Sequence, residues 1–386
     1  MTTPRTIPFG RPWIDESDRK SVMEVLDGHI LTHGPQCKSF EEEFASFVGE
    51  TAKCVTVSSC MAALHVAYLE LRIGPGDEVL VPALTHAATV HAVEWVGARP
   101  IFIDCDKATG NMRPDAMAEA ITPKTKAVGL VHFAGIPCDM PRIMEIADAH
   151  KLKVIEDCAL AVGSRYARKH VALFGDAGCF SFYPVKHITT GEGGMFVSKS
   201  ADAVESVNKL RAFGVDRTYA QRSIPGYYDV PSLGLNYRMS EMQAALGRSQ
   251  LARFPENLRI RRSNFQSLKE KLARALGTRI LDSAKPEVEN SYYCMCVVLE
   301  GKLGPLRNEV ISRLNAAGIG TSIYYPQPVP RMTYYREKYG YQPDDFPNAV
   351  EITDHSIALP VGPHLNSEDM EYIGEIFSST VQELGK

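Results

Sequence analysis

The residues best suited to chemistry gather around one lysine. Lys186 lies within 179–198, CFSFYPVKHITTGEGGMFVS, where an apolar run, a single basic residue, a glycine cluster and a second apolar run follow one another. Held among Phe180, Phe182 and Tyr183, an amine is poorly solvated, and desolvation disfavours the ammonium form, as an amine that attacks a carbonyl at neutral pH requires. The chemistry would be Schiff-base formation; a loop lysine facing solvent explains this stretch equally well. Two other places set polar groups at the end of an apolar run. At Ser58-Ser59-Cys60-Met61-Ala62 such a run gives way to an alanine- and leucine-rich one. The free N–H groups of a helix start there would bind phosphate, although a serine in that position is more often an N-cap with no ligand. Glu156 and Asp157 close another apolar run. A carboxylate there can be a metal ligand, a base, the partner of a cationic ring, or simply a helix cap or structural ion pair.

The surrounding pattern supplies supports for all three. Residues 179–182 and 195–197 read as two short buried strands, so Lys186 falls on their connection. Pro184 fixes one backbone angle before it, and Gly191, Gly193 and Gly194 permit a tight return after it. A strand at 53–57 runs straight into 58–69, whose small polar start and alanines and leucines read as a turn and a helix. Strands at 78–81, 100–103, 127–132 and 153–155 alternate with helical stretches such as 92–96, which predicts a largely parallel sheet with helices on its faces. Ligands in such sheets lie at the carboxyl ends of the strands, where Glu156 and Asp157 are delivered. Upstream, 14–27 reads as an amphipathic helix closed by Gly28 and 31–35 as a loop. Ser39 with Glu42 makes a capping box for a helix through 47. Gly74-Pro75-Gly76-Asp77 is a turn and not a dinucleotide fingerprint, because no further glycine follows at the required spacing. From Ser240 the pattern turns to long helices, 242–251 and 258–276 with Pro255 as a break, leading to a second α/β part. Its pieces are an alternating strand at 291–299, a helix at 305–317 closed by Gly318, a strand at 321–325 and a last helix at 367–380.

At 386 residues the chain exceeds what one core usually serves, so two domains are expected. A net charge of -4 and a pI near 6.3 give no basic face for nucleic acid or an anionic membrane, and no apolar stretch approaches spanning length. No charged start followed by an apolar core opens the chain, so a cytoplasmic location is expected. The nine cysteines are scattered without a CxxC pair, which reads as reduced, buried thiols and no metal site.

A phosphate-binding helix start, an acid at a strand end and a desolvated lysine are together the three contacts that hold pyridoxal phosphate. At this point the sequence resembles the DegT/DnrJ/EryC1/StrS sugar aminotransferases over about 7–377. The most specific pieces are GDAGCFSFYPVK at 175–186 with TGEGG at 190–194, VIED at 154–157, GPGDEV at 74–79 and LNYRMSE at 235–241. The resemblance implies an α/β fold-type I, aspartate aminotransferase-like architecture. Residues 1–250 would form a large, mostly parallel α/β/α cofactor domain and residues 251–386 a small C-terminal α/β domain.

Carried over residue by residue, the resemblance implies that Lys186 forms the internal aldimine, Asp157 keeps the ring nitrogen protonated and Ser181 binds the phosphate. Cys60, Met61 and Ala62 fill the phosphate turn. Relatives usually carry Gly-Thr at the positions of Cys60 and Met61, so the threonine hydroxyl is missing and backbone N–H groups must do more. His86 stands where the family stacks an aromatic ring on the cofactor, the alternative being a solvated turn histidine. Leu160 replaces a residue that is polar in many relatives, beside the ring hydroxyl. Asn236 matches the residue that reaches the phosphate of the other subunit, implying a homodimer with shared active sites. Arg238 is a candidate for the carboxylate of the amino donor, or else an interface ion pair.

The implied reaction moves an amino group from an amino acid, glutamate by analogy, through the pyridoxamine form of the cofactor to a keto-sugar, nucleotide-linked by family default. The product would be an amino-sugar for polysaccharide, lipopolysaccharide or antibiotic. Segments 31–35 and 324–335 are expected to line the sugar pocket. The alternatives are a keto-sugar dehydratase of the same family, kept in view by His187 beside Lys186, amination of an oxidised octulosonic acid, and a non-catalytic regulator.

Overall fold

The computed structural model describes residues 5–217, 224 and 226–386. Thirteen strands follow in chain order: β1 (Lys53–Val57), β2 (Glu78–Pro82), β3 (Arg99–Ile103), β4 (Thr125–Val131), β5 (Lys153–Asp157), β6 (Arg165–Tyr166), β7 (Lys169–His170), β8 (Ala177–Ser181), β9 (Gly194–Ser198), β10 (Thr278–Ile280), β11 (Val288–Glu289), β12 (Met295–Leu299) and β13 (Ser356–Leu359). The helices are α1 (Glu16–Leu26), α2 (Pro35–Val48), α3 (Cys60–Glu70), α4 (Ala87–Trp95), α5 (Pro114–Glu119), α6 (Met140–His150), α7 (Ala201–Leu210), α8 (Glu241–Ala252), α9 (Phe254–Leu272), α10 (Arg307–Ala316), α11 (Thr333–Tyr339), α12 (Pro347–His355) and α13 (Ser367–Leu384).

Seven strands form the main sheet in the order β1-β9-β8-β5-β4-β2-β3. β9 runs antiparallel to both β1 and β8, and the other neighbours are parallel. This is the α/β architecture with a mostly parallel sheet. The strands are buried along nearly their whole length, as all of β2 and β8 are, because helices cover both faces. One consequence decides the site: the carboxyl ends of β1, β5 and β8 and the amino end of β9 share one edge.

Smaller sheets, β10-β12-β13 and β11-β6-β7, complete the strand pairing. Helix α9 bridges two apolar cores. At its start Phe254 packs with Phe180, Val162 and Met239, while Phe265, Leu268 and Leu272 further along pack with Met295, Ile373 and Phe377. Pro255 marks the break between α8 and α9 and sits within the first turn of α9, where its missing N–H costs nothing.

Three local expectations are corrected by tertiary partners. The helix expected to start at a Ser39–Glu42 capping box starts at Pro35, with no cap from its own flanking side chain. Its free N–H groups at Gln36 and Cys37 donate instead to the carboxylate of Glu241, at 2.6 and 3.2 Å. The expected strand at 321–325 reduces to one bridge between Ser322 and Ala358. The alternating strand at 291–299 is β12 alone, buried on both faces throughout, preceded by an irregular 290–294 segment. No helix among the described residues is long and apolar enough to cross a membrane.

Candidate active site

The serine turn is built by β1 running directly into α3. Ser59 caps the helix, its hydroxyl accepting from the N–H of Ala62 at 3.1 Å. Ala62 thus has a partner, whereas Cys60 and Met61, in the first turn, have none within the helix. Two backbone donors at the positive end of the helix dipole face the edge where β8 ends in Ser181, which is the chemistry of a phosphate cradle. Gly194 packs these parts together. It lies opposite Val57 on one side and Ser181 on the other. A Cβ on it would meet Ser59 C and O at 2.4 and 2.5 Å and Cys60 N at 2.7 Å. Gly191 and Gly193 take the left-handed angles of the tight return (φ +79° and +159°), but Gly194 does not. The sequence groups the three glycines as one turn; the structure assigns the third to close approach.

Glu156 and Asp157 are consecutive on β5, so they point to opposite faces. Glu156 is a structural group. Its carboxylate accepts from the N–H groups of Ala172, Phe174 and Gly175 and from His132 Nε2, at 2.8–3.0 Å. Burial works to raise its pKa, but these donors prevail and hold the carboxyl below the usual range. Because His132 Nδ1 accepts from the Cys138 N–H, Nε2 is the protonated nitrogen. Asp157 faces the site. Thr89 Oγ1 donates to it at 2.8 Å, the Ala159 N–H at 3.0 Å and the Cys60 thiol at 3.7 Å, and Thr85 Oγ1 supports Thr89 at 2.8 Å.

The Lys186 loop is closed by Lys186 N–H to Tyr183 C=O, 2.9 Å, and Thr190 N–H to Phe182 C=O, 2.9 Å. The ammonium lies 5.1 Å from the centre of the Tyr293 ring. Burial lowers its pKa; the Asp157 carboxylate acts in the other direction, and burial wins. Burial also raises the thiol of Cys60 far above its ordinary value, so it meets Asp157 as a neutral donor. His86 caps α4, accepting the Ala88 N–H at 3.1 Å, and its ring lies edge-on to Tyr325 at 5.5 Å. Partial burial of the ring lowers its pKa, with Asp157 opposing and Lys186 assisting, although the residue as a whole is exposed. Leu160 is buried in the core and its carbonyl accepts from Ser291 Oγ, so no polar side chain stands at that position.

Asn236 and Arg238 are not gathered into this group. Arg238 contacts Asn236 Oδ1 at 3.1 Å, His33 Nε2 at 2.7 Å and the Phe213 ring at 4.9 Å, on an exposed surface beside 31–34. Of the expected sugar-lining segment 324–335, Tyr324 and Tyr325 reach the pocket. Tyr335 instead belongs to the core, stacked on His91 and edge-on to Phe102. His187 turns away from the Lys186 amine: it is buried and Nε2 donates to the Ser291 carbonyl at 2.9 Å.

Sequence reading missed Thr89, Tyr293 and Cys294. Tyr293 is 4% exposed, and its hydroxyl bonds that of Tyr324 at 2.7 Å. No local pattern marks such residues, since they join the site from 68 to 137 positions away from Asp157. The paired N–H groups of Cys60 and Met61, the hydroxyl of Ser181, a buried acid and a desolvated amine at one sheet edge fit the phosphate, ring nitrogen and aldehyde of pyridoxal phosphate.

Comparison with known proteins agrees. The profile of the DegT/DnrJ/EryC1/StrS aminotransferase family matches residues 12–378. The spore coat polysaccharide biosynthesis protein SpsC of Bacillus subtilis is 35% identical over 97% of both chains. GDP-perosamine synthase of Caulobacter vibrioides is 37% identical over 83% of this chain and 85% of its own. Among solved structures, the PLP form of Spr1654, a candidate sugar aminotransferase of Streptococcus pneumoniae, superposes with a TM-score of 0.92 at 29% identity, over 98% of this chain and all of that one.

Proposed function

The chain belongs to the DegT/DnrJ/EryC1/StrS aminotransferase family and is a pyridoxal-phosphate-dependent sugar aminotransferase; from that premise we propose how its own residues divide the work. The carrying observation is the Lys186 amine, lowered in pKa by burial, within charge range of Asp157 and over the Tyr293 ring. When bound, the cofactor supplies an aldehyde that takes up the amino group and a cationic ring that accepts the electron pair of the substrate carbon.

Lys186 is the amine that would hold the cofactor's aldehyde carbon. Kept neutral by burial, its Nζ would be the base that moves the proton at the donor's α-carbon. In the second half it moves protons in the opposite sense for the sugar. Asp157, fixed by Thr89 and the Ala159 N–H, keeps a proton on the ring nitrogen by charge. The Cys60 and Met61 N–H groups with Ser181 would hold the phosphate, and His86 would lie against the ring. Asn236 completes the phosphate site of a second copy, and Arg238 beside it takes the donor's carboxylate with its guanidinium fork. Their exposed position away from their own Lys186 supports a dimer with shared sites.

We infer glutamate as donor, by family analogy, and a nucleotide-linked keto-hexose as acceptor. GDP-perosamine, named for one relative, is a nucleotide-linked amino-sugar, and SpsC is named for polysaccharide synthesis. The burial of His187, with Nε2 engaged to Ser291, speaks against an imidazole-led dehydration. Mass-spectrometric screening of keto-sugars against the aminated protein tests this: one nitrogen gained per glutamate consumed, without loss of water, supports it. A deoxy-keto product with ammonia released overturns it.

A further inference from the structure

Helix α9 carries two buried polar side chains one turn apart, Asn257 and Arg261, where the Lys186 loop meets the 290–294 segment. Asn257 Nδ2 donates to the His187 carbonyl at 2.8 Å, and Arg261 Nε donates to Asn257 Oδ1 at 2.8 Å. Arg261 Nη1 reaches two consecutive carbonyls, Tyr293 at 2.9 Å and Tyr292 at 3.4 Å. His187 Nε2 on the Ser291 carbonyl closes the circuit. Arg261 is 5% exposed and no carboxylate pairs with it among the described residues. Burial pulls its pKa down to about 10, so it stays charged at neutral pH. A buried cation without an anion is costly, and structures retain one where its hydrogen bonds fix something specific.

What it fixes is a left-handed residue. Tyr292 has φ +54°, which a side-chain-bearing residue adopts only under constraint. Arg261 holds its carbonyl, Asn290 Oδ1 accepts its N–H at 2.7 Å, and Ser291 is tied on both sides, N–H to the Gly135 carbonyl and Oγ to the Leu160 carbonyl. This kink turns the next ring, Tyr293, onto the Lys186 amine at 5.1 Å, while the Tyr293 hydroxyl is tethered to Tyr324.

We propose that Arg261 is a positioning residue of the catalytic pocket: by gripping the carbonyls of Tyr292 and Tyr293, it holds the Tyr293 ring as the cover that keeps water from the Lys186 amine. The inference rests on Lys186 being the reacting amine. The ionisable groups around that amine are Asp157 from β5, Cys60 from α3, His86 from α4, and Tyr293 and Cys294 from the segment before β12, while the adjacent His187 is turned away onto the Ser291 carbonyl. The Asp157 carboxylate favours the ammonium and burial opposes it, so a lost cover must raise the amine's pKa.

The test is competitive acetylation of the cofactor-free protein across pH, with Lys186 followed by mass spectrometry. Tyr293→Ala should move the labelling curve to higher pH, with roughly tenfold less neutral amine at pH 8. Arg261→Lys should do the same. It keeps the positive charge but not the planar guanidinium that bonds Asn257 through Nε while Nη1 grips the two carbonyls, so its shift reports lost grip and not lost repulsion. Tyr293→Phe, which retains the ring, should label as the wild type. The proposal is overturned if folded Arg261→Lys keeps the wild-type curve. It is equally overturned if Tyr293→Ala does, which decides the matter should the arginine variant not fold. Because neither cofactor nor sugar is present, this outcome is separate from any failure of the transamination reading, which would show in the product assay alone.

Discussion

Replacing Gly194 by alanine should weaken binding of the cofactor's phosphate in particular. The backbone at 194 is ordinary extended strand, so an alanine is conformationally acceptable and only space is at issue. The new methyl would lie 2.4 Å from Ser59 C and 2.7 Å from Cys60 N, whereas ordinary contact begins at 3.4 Å. Both neighbours are backbone, flanked by β1 and the cap of α3, and no side-chain rotation relieves them. The start of α3 must therefore retreat by about 1 Å, which takes a 2.9 Å N–H contact beyond hydrogen-bonding range. A hydrogen bond to a charged oxygen contributes about 1.5–3 kcal/mol, so losing one weakens binding roughly 10- to 150-fold. Overpacking adds about 1–3 kcal/mol of lost stability. The assay is titration of cofactor-free protein with pyridoxal phosphate and, separately, with pyridoxal, each read from its visible band. Affinity for pyridoxal phosphate should fall by the stated factor while that for pyridoxal changes by less than about threefold, since pyridoxal makes no phosphate hydrogen bonds. An equal loss for both, or no loss for either, refutes the assignment of the Cys60 and Met61 N–H groups to the phosphate.

The purified protein should be yellow, and borohydride should fix the cofactor to Lys186 as seen in the peptide mass; a colourless chain that takes up no cofactor contradicts the site. Lys186→Ala should abolish turnover, whereas His187→Ala should lower the melting temperature, through a lost buried hydrogen bond and a cavity worth about 2–4 kcal/mol, yet transfer nitrogen at near the wild-type rate per folded molecule. Mixed dimers of Lys186→Ala and Asn236→Ala chains should recover about a quarter of wild-type activity, because random pairing makes half of the dimers mixed and one site in each of those is intact; recovery no better than the parents alone argues against shared sites. Burial depresses His170 to about 4, so the folded state resists its protonation. Its contribution to stability is complete above the unfolded value near 6.5 and fades as pH falls towards 4, by about 3 kcal/mol in total. His170→Gln should flatten that part of the stability curve in denaturant titrations, and an unchanged slope between pH 6.5 and 4 rejects the point.

The sequence by itself determined the parts that are local. Apolar runs of strand length closed by Ser58 and Asp157 place those residues at strand ends, and a parallel sheet gathers strand ends at one edge whatever the remaining packing, whereas Ser181, read inside the 179–182 run, ends its strand only in the structure. Lys186 is legible because its proline and glycines lie within eight residues of it. Only the tertiary structure decided what surrounds these groups. Glu156 and Asp157 look alike in the sequence, and strand alternation separates them, but which face holds the pocket depends on where α3 and α4 pack. The cap of α2 comes from Glu241, about 205 positions away. The ring over Lys186 comes from Tyr293 and is aimed by Arg261, whose own pattern reads as one polar residue of a long helix. The 321–325 run has strand composition yet pairs at a single bridge, because a strand exists only where a neighbouring edge accepts its hydrogen bonds. Hydrogen-bond partners and burial are properties of contacts between distant segments, and a one-dimensional pattern records only the preferences of each segment for making them.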